Sequence, residues 1–282
     1  MTSPAEIAAA GQLACLLEVS APKPGNVSPD RHFHDTRYED FLASAVAIGP
    51  ALAGAGERSL GSSIRRAVSE TLRWTRSNTN LGIVLLLMPI ARAALQQGGS
   101  LRERLSRVLA ETTVDDAAEV YAAIRQARPG GLGQSNVEDV AGVPSVTLRE
   151  AMGLAADRDA VAREYVTDFA CSFETGVPAL LAARRNGLSW TDAAVETYLA
   201  LLEAAPDTHI ARKLGAGEAE LISRRAGEVR RAGATRSAEG RRELAALDRE
   251  LRDPKNRRNP GTTADLTCAA LFIVILEGGW DH

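Results

Sequence analysis

Aromatic residues are scarce in this chain: Phe, Trp and Tyr together make up 4% of its 282 residues. Period-2 runs of β-branched residues are missing too, so nothing in the pattern favours a sheet. Cysteine is limited to Cys15, Cys171 and Cys268, far apart and each among apolar neighbours. That odd, scattered count excludes a disulfide framework and a cysteine metal site, and predicts buried free thiols in a reducing compartment. The longest apolar runs are Leu81–Leu87, extended by Met88-Pro89-Ile90, and Leu266–Leu276. Both fall short of the ~20 residues that cross a bilayer, so no membrane partner is expected. The N-terminus lacks a basic start followed by an apolar stretch, so no signal peptide is expected and the predicted location is cytoplasmic. Strong net charge is absent as well. The total is −3, although Arg212–Arg258 carries 14 Lys/Arg against 8 Asp/Glu. A moderately basic segment in an otherwise acidic chain argues against nucleic-acid binding and suits an anionic small molecule.

What is present is helical. Ala, Leu, Arg and Glu are plentiful, and 45% hydrophobic with 24% charged residues is ordinary for a globular protein. The pattern predicts an all-α fold, a single domain over 1–282 of about a dozen helices. Ser3-Pro4-Ala5-Glu6 is a capping box that starts a helix through Val19, and Thr36-Arg37-Tyr38-Glu39 reads as a second, opening a helix towards Ala53. Ser62–Thr75 is amphipathic through Ile64, Val68, Leu72 and Trp74, and Pro89 is expected to kink an apolar helix ending at Leu95. Asp159–Thr175 reads as one helix, with Tyr165, Phe169 and Phe173 as a core stripe. The longest irregular stretch is Arg128–Pro144, and loops of that length are often functional.

Near the C-terminus, Asn256-Arg257-Arg258-Asn259-Pro260-Gly261-Thr262-Thr263-Ala264-Asp265 precedes the apolar Leu266–Leu276. A helix starting there would point unpaired N–H groups and a positive dipole end at its own preceding loop, a layout suited to phosphates. An ordinary capped core helix is the plainer alternative. Three more polar loops adjoin helices: Pro22–Asp35, Ser77–Asn80 and Pro206–Lys213. In a helical domain such loops meet only where helix ends cluster, so together they would line a polar pocket. Each has its plainer reading: Lys23 as a solvated turn residue, Asn78 and Asn80 as caps, Asp207 as the N-cap of a short helix. Gly130-Gly131-Leu132-Gly133 is no P-loop or dinucleotide fingerprint, lacking a preceding strand and a following Gly-Lys-Ser/Thr. His32 and His34 have no further ligand at zinc spacing, whereas Asp35, Asp139, Asp207 and Asp265, in or beside irregular polar stretches, suit magnesium better.

Ser20-Ala21-Pro22-Lys23-Pro24-Gly25-Asn26-Val27, the Asp35 region, Asn78-Thr79-Asn80-Leu81-Gly82, Asp207-Thr208-His209 and Asn259–Leu266 follow in an order that resembles the triphosphoribosyl-dephospho-CoA synthase family. The family has Asn-Thr-His-Lys-Gly where this chain has Asn78–Gly82, and Ser-Pro-Gly-Gly-Ser-Ala-Asp-Leu where it has Asn259–Leu266. Three departures mark a divergent branch: Asn80-Leu81 replace His-Lys, Phe33 replaces a His of many members, and His209 stands where bacterial members carry Asn.

The resemblance implies a pentosyltransferase that moves the 5-triphosphoribosyl group of ATP to a hydroxyl acceptor, dephospho-CoA or a related cofactor precursor, and releases adenine. It implies ATP and that acceptor as partners and Mg2+ as cofactor, with homo-oligomerisation left open. Lys23, Lys213 and Arg258, with Thr262 and Thr263, are then expected on phosphates, Asn26, Asn78 and Asn80 on ribose or adenine, and His209 and Asn259 among the remaining substrate- and ATP-binding residues. Asp35, Asp207 and Asp265 are expected on the metal. Asp35, Asp139 and Asp207 are the candidates for base or for counter-charge to the cation that forms when the glycosidic bond breaks. A magnesium-dependent N-glycosidase and a non-catalytic nucleotide- or partner-binding module are the alternatives.

Overall fold

The structure is a computed structural model that describes residues 3–130 and 137–280. Gly131, Leu132 and Gly133 of the glycine-rich stretch lie outside the described residues, as does His282. The described residues form fifteen α-helices and no strand. In chain order they are α1 (Pro4–Ser20), α2 (Tyr38–Ala47), α3 (Gly49–Ala53), α4 (Leu60–Leu72), α5 (Leu81–Leu95), α6 (Leu101–Ala110), α7 (Val114–Ala127) and α8 (Leu148–Ala155). These are followed by α9 (Ala160–Val166), α10 (Val177–Arg185), α11 (Trp190–Ala204), α12 (Thr208–Leu214), α13 (Ala216–Arg231), α14 (Ala238–Leu251) and α15 (Gly261–Leu276). The all-α expectation holds. Among the described residues, no helix is long and apolar enough to cross a membrane.

At the centre lies α15, buried nearly all round from Thr262 to Val274, as a helix without a polar face must be. It packs on α1, α5, α10 and α11. The second apolar helix, α5, is buried from Ile83 to Ala91 and lies against α15, α6 and α4. Two prolines shape this core, and each loss is repaired from a distance. Pro89 has no N–H for the carbonyl of Leu85, one turn back, and the Tyr165 hydroxyl donates to that oxygen at 2.6 Å. Pro50 likewise leaves the carbonyl of Val46 unbonded, and Gln12 Nε2 donates to it at 3.1 Å.

Several helix boundaries differ from the sequence reading. The helix expected from Tyr38 to Ala53 is two, α2 and α3, broken where Pro50 removes a donor. At α2 only half of such a box forms, one residue later, with the Arg37 N–H bonded to Asp40 Oδ2 at 2.8 Å, while the Thr36 hydroxyl donates to Asp35 Oδ1. Trp74 falls beyond the end of α4 and is 68% exposed, not part of the apolar stripe. The expected helix Asp159–Thr175 is interrupted at Asp168 and Phe169, which both have positive φ. Beyond the break, the buried Glu164 carboxylate accepts from the N–H groups of Cys171 and Ser172, both at 2.9 Å, and caps the turn leading into α10. Tyr165 and Phe169 are core residues as expected.

Candidate active site

The four polar loops meet at one end of the bundle. Asn26 Nδ2 donates to Asn259 Oδ1 at 3.0 Å, joining the first loop to the last. The Ser77 hydroxyl donates to the Asp35 carbonyl at 3.0 Å, joining the first to the second. Thr208 and Thr262 share a hydroxyl hydrogen bond of 3.2 Å, joining the third to the last. The first loop is further clamped by α14: the Gly25 N–H donates to Asp248 Oδ1 and Arg252 Nη2 donates to the Asn26 carbonyl, each at 2.8 Å. Gly25 has φ +76°, and a Cβ there would lie 2.8 Å from that of Leu251, so only glycine allows this docking.

A cavity of about 810 Å³ opens at this junction, within the size range of small-molecule sites. Of the predicted site residues it is lined by Asn26, Asp35, Asn78, Asn80 and Asp139, and by His209, Lys213, Asn259, Thr262 and Asp265. Asn78 caps α5, its Oδ1 accepting from the Leu81 N–H at 3.1 Å, while Asn80 donates to the Thr71 hydroxyl at 3.0 Å.

Four predicted residues stand behind the wall instead. Lys23, 1% exposed, is no solvated cation: its ammonium pairs with the Glu18 carboxylate at 2.9 Å and bonds the carbonyls of Glu18 and Ala21 at the end of α1. Asp207 spends both oxygens on helix caps. Its Oδ1 accepts from the His209 and Ile210 N–H groups at 2.8 and 3.1 Å, and its Oδ2 from the N–H and hydroxyl of Thr263, both at 2.7 Å. Thr263 is therefore committed to Asp207. Arg258 bridges Glu218 at 2.8 Å and donates to the Glu250 carbonyl at 3.0 Å, away from the cavity.

The positive end of α15 is thus largely answered from within the chain. Gly261 N–H bonds the Asn259 carbonyl and Thr263 N–H bonds Asp207, which leaves the Thr262 N–H as its open donor. Among the described residues, the first turn of α5 is the freer one: Gly82 and Ile83 N–H have no acceptor, and both residues line the cavity. The Asp265 carboxylate lies against this turn. A Cβ on Gly82 would come 2.0 Å from its Oδ2, so the glycine is what admits it.

Asp265 makes no hydrogen bond or ion pair among the described residues. Burial, then the charges of Glu18, Asp207 and Asp159, push its carboxyl well above the usual range, and Arg212 works against them. Burial, with Lys213 and Arg212 nearby, lowers the His209 imidazole to about 3, so it is neutral at pH 7 and acts as a hydrogen-bonding ring, not a cation. Lys213 has no hydrogen-bond partner among the described residues. Burial and Arg212 lower its pKa, while Asp253, Asp35 and Asp207 raise it. No group of three or more His, Cys, Asp or Glu placed to hold a metal ion occurs among the described residues.

The cavity also recruits residues that the sequence reading did not assign to it: Glu18, Arg76, Asp159, Arg212 and Lys255. Arg76 and Lys255 flank polar loops and were legible by that proximity. Glu18 was not, because it sits within α1, and only the packing of that helix brings it to the cavity.

The family model for ATP:dephospho-CoA triphosphoribosyl transferase matches residues 4–282. A Pseudomonas aeruginosa protein assigned as a 2-(5''-triphosphoribosyl)-3'-dephosphocoenzyme-A synthase is 28% identical over 286 aligned positions, covering 92% of this chain and 87% of that protein. A Stutzerimonas stutzeri protein with the same assignment is 35% identical over 105 residues, which are 37% of this chain and 36% of that protein. The crystal structure of an Archaeoglobus fulgidus protein assigned as a triphosphoribosyl-dephospho-CoA synthase superposes with a TM-score of 0.64 at 30% identity, covering 84% of this chain and 99% of that one. With its ordered motifs gathered at one cavity and the match running over nearly its whole length, the chain belongs to the ATP:dephospho-CoA triphosphoribosyl transferase family.

Proposed function

We propose that this chain, acting as one catalytic domain, transfers the 5-triphosphoribosyl group of ATP to a hydroxyl of dephospho-CoA or a closely related acceptor. The observation that carries this reading is the convergence of four loops on a cavity lined by a carboxylate, Asp265, and an ammonium, Lys213, neither of which has a hydrogen-bond partner among the described residues. In the reaction the bond from ribose C1′ to adenine breaks, and adenine leaves with the bonding pair and takes up a proton. The acceptor oxygen bonds to C1′ and gives up its proton. Atoms and charge balance without any oxidant or hydrolysis of the triphosphate.

Lys213, Lys255 and Arg76, with the open N–H groups at the start of α5, supply the positive surface for the triphosphate. Mg2+ arrives with ATP as part of the substrate, keeps several of its waters, and needs only one or two carboxylates. Asp35, close enough to Lys213 to raise its pKa, is the carboxylate on that side. Asp207, whose two oxygens cap helices, has no part as metal ligand or base in this reading. Asp265 lies deeper, beside Glu18, and its raised affinity for a proton suits the acceptance of one from the acceptor hydroxyl. The neutral His209 ring and the Asn26–Asn259 amide pair orient ribose or adenine.

Incubation with ATP, Mg2+ and dephospho-CoA is expected to release free adenine in step with a product carrying the intact triphosphate. ADP, AMP or pyrophosphate as the main product overturns the reading, and adenine release with water as the acceptor replaces it by an N-glycosidase. Asp265→Asn is expected to fold normally and to lose activity.

A further inference from the structure

Tyr198 on α11 is fully buried, and its hydroxyl starts a relay of hydrogen bonds that ends at the cavity. The Pro24 carbonyl can only accept, so the Tyr198 hydroxyl, 2.7 Å away, spends its one proton there. Burial pushes the phenol well above its usual range, so that proton stays in place. The hydroxyl oxygen is then an acceptor, and the Asn26 side chain 3.3 Å from it must turn its NH2 group that way. The same NH2 group lies 3.5 Å from the Pro24 carbonyl, so a flipped amide would set its oxygen against two acceptors with no proton between them. Asn26 Nδ2 also donates to Asn259 at 3.0 Å, so Asn259 answers with Oδ1 and turns its own NH2 group away. The relay leaves two groups of fixed polarity without a partner among the described residues: the acceptor Asn26 Oδ1 and the donor Asn259 Nδ2. Both asparagines line the cavity. The Asn26 backbone is pinned as well, its N–H bonding the Lys23 carbonyl at 3.1 Å and its carbonyl accepting from Arg252 at 2.8 Å. A Cβ on Gly261 would lie 3.6 Å from Asn259 Nδ2 and 3.5 Å from the His209 ring, so the amide and the neutral ring flank one point of the wall.

We propose that Tyr198 is a positioning residue that sets base specificity: by fixing the polarity of the Asn26–Asn259 pair, it makes the site select a 6-aminopurine nucleotide over a 6-oxopurine one. This assignment rests on the transferase reading above, in which adenine is the leaving group. Adenine carries an N–H donor at its 6-amino group beside a ring nitrogen that accepts, the complement of Asn26 Oδ1 and Asn259 Nδ2. A 6-oxopurine sets an oxygen against Asn26 Oδ1 and, on its N1 side, an N–H against the Asn259 NH2 group, so both contacts turn repulsive. An asparagine free to turn its amide presents either face and reads the two bases alike. Tyr198 removes that freedom. The hydroxyls of ribose match such a device less well, since each rotates to donate or accept and needs no polarity fixed for it.

The test reads ratios of affinity, which a general loosening of the fold would not move. ATP, inosine triphosphate and 2′-deoxy-ATP, each with Mg2+, are titrated calorimetrically into the full chain as wild type, Tyr198→Phe and Asn259→Asp. Tyr198→Phe deletes the hydroxyl and frees the Asn26 amide to turn. Asn259→Asp still accepts from Asn26 but puts an acceptor where the outward donor was. Asn259 is only partly buried, so this variant decides the matter should Tyr198→Phe misfold by circular dichroism. The wild type is expected to prefer ATP over inosine triphosphate about tenfold or more, and both variants to narrow that ratio severalfold. The preference for ATP over 2′-deoxy-ATP should stay within about twofold of its wild-type value. Equal wild-type affinity for ATP and inosine triphosphate, no ATP binding by the wild type, or an unmoved ratio in the folded variants each overturns the assignment. So does a change confined to the 2′-deoxy-ATP ratio, which would place the pair on ribose. Failure of the transferase reading shows separately, as ATP bound with this selectivity that yields no adenine in the presence of dephospho-CoA.

Discussion

Replacing Lys23 by methionine removes the ammonium that answers a carboxylate with only 4% of its residue's surface exposed. Glu18 would keep its place in α1 but lose its 2.9 Å partner, and the carbonyls of Glu18 and Ala21 would lose a charged donor. Breaking a buried ion pair by removing one member costs about 3–5 kcal/mol, because the remaining charge stays desolvated. For a chain of this size each kcal/mol moves the melting temperature by roughly 2–4 °C, so the expected loss is about 6–20 °C. The double variant Glu18→Gln/Lys23→Met removes both charges and should recover most of that loss, giving a coupling energy of about 2 kcal/mol or more in a double-mutant cycle. Thermal and urea denaturation read the stability, and calorimetric titration with ATP reads the site. A Lys23→Met protein that melts within about 2 °C of wild type, yet binds ATP far more weakly, would refute the reasoning and return Lys23 to the phosphates.

Three further outcomes follow from the same geometry. Gly82→Ala should fold but displace Asp265 from the first turn of α5, since the new Cβ would lie 2.0 Å from Oδ2; adenine release should fall at least about tenfold, and unchanged turnover would show that this contact is dispensable. Asp207→Asn keeps one acceptor but offers an NH2 group to the N–H and hydroxyl of Thr263, so stability should drop by about 1–3 kcal/mol in urea; normal stability with lost activity would restore Asp207 to the chemistry. His209, lowered to about 3 in the fold from 6.5, should remain neutral from pH 5 to 8 in an NMR titration of its ring nitrogens. Because the unfolded chain binds that proton first, the folded state loses stability as pH falls below about 6.5, and His209→Gln should flatten that slope.

Much of the fold was legible because helix starts are local. The box at Ser3 and Glu6 uses partners three residues apart, and it forms as read. The breaks were less legible where the cause came from elsewhere. Pro50 alone announces a weakness after Ile48, but Gln12 is what makes the broken helix tolerable. The interruption after α9 depends on Glu164 capping a turn eight residues on, which periodicity in Tyr165, Phe169 and Phe173 conceals. In the site, the loops were legible as polar segments beside helix ends. The sorting of their residues was not. Lys23 and Asp207 have the composition of ligand groups and yet serve as partners to Glu18 and Thr263.

By itself, then, the sequence determined the helical class, most helix starts, the order of the motifs and through them the family, since each of these depends on neighbours within a few residues or on residue types in order. Only the tertiary structure decided which polar groups face the cavity. Asn26 and Asn259 are 233 residues apart and Asp207 and Thr263 are 56 apart, and burial forces such groups to satisfy one another wherever packing brings them together. Among the described residues, what packing left over, Asp265 without a hydrogen-bonding partner and the open first turn of α5, is what remains available to a ligand.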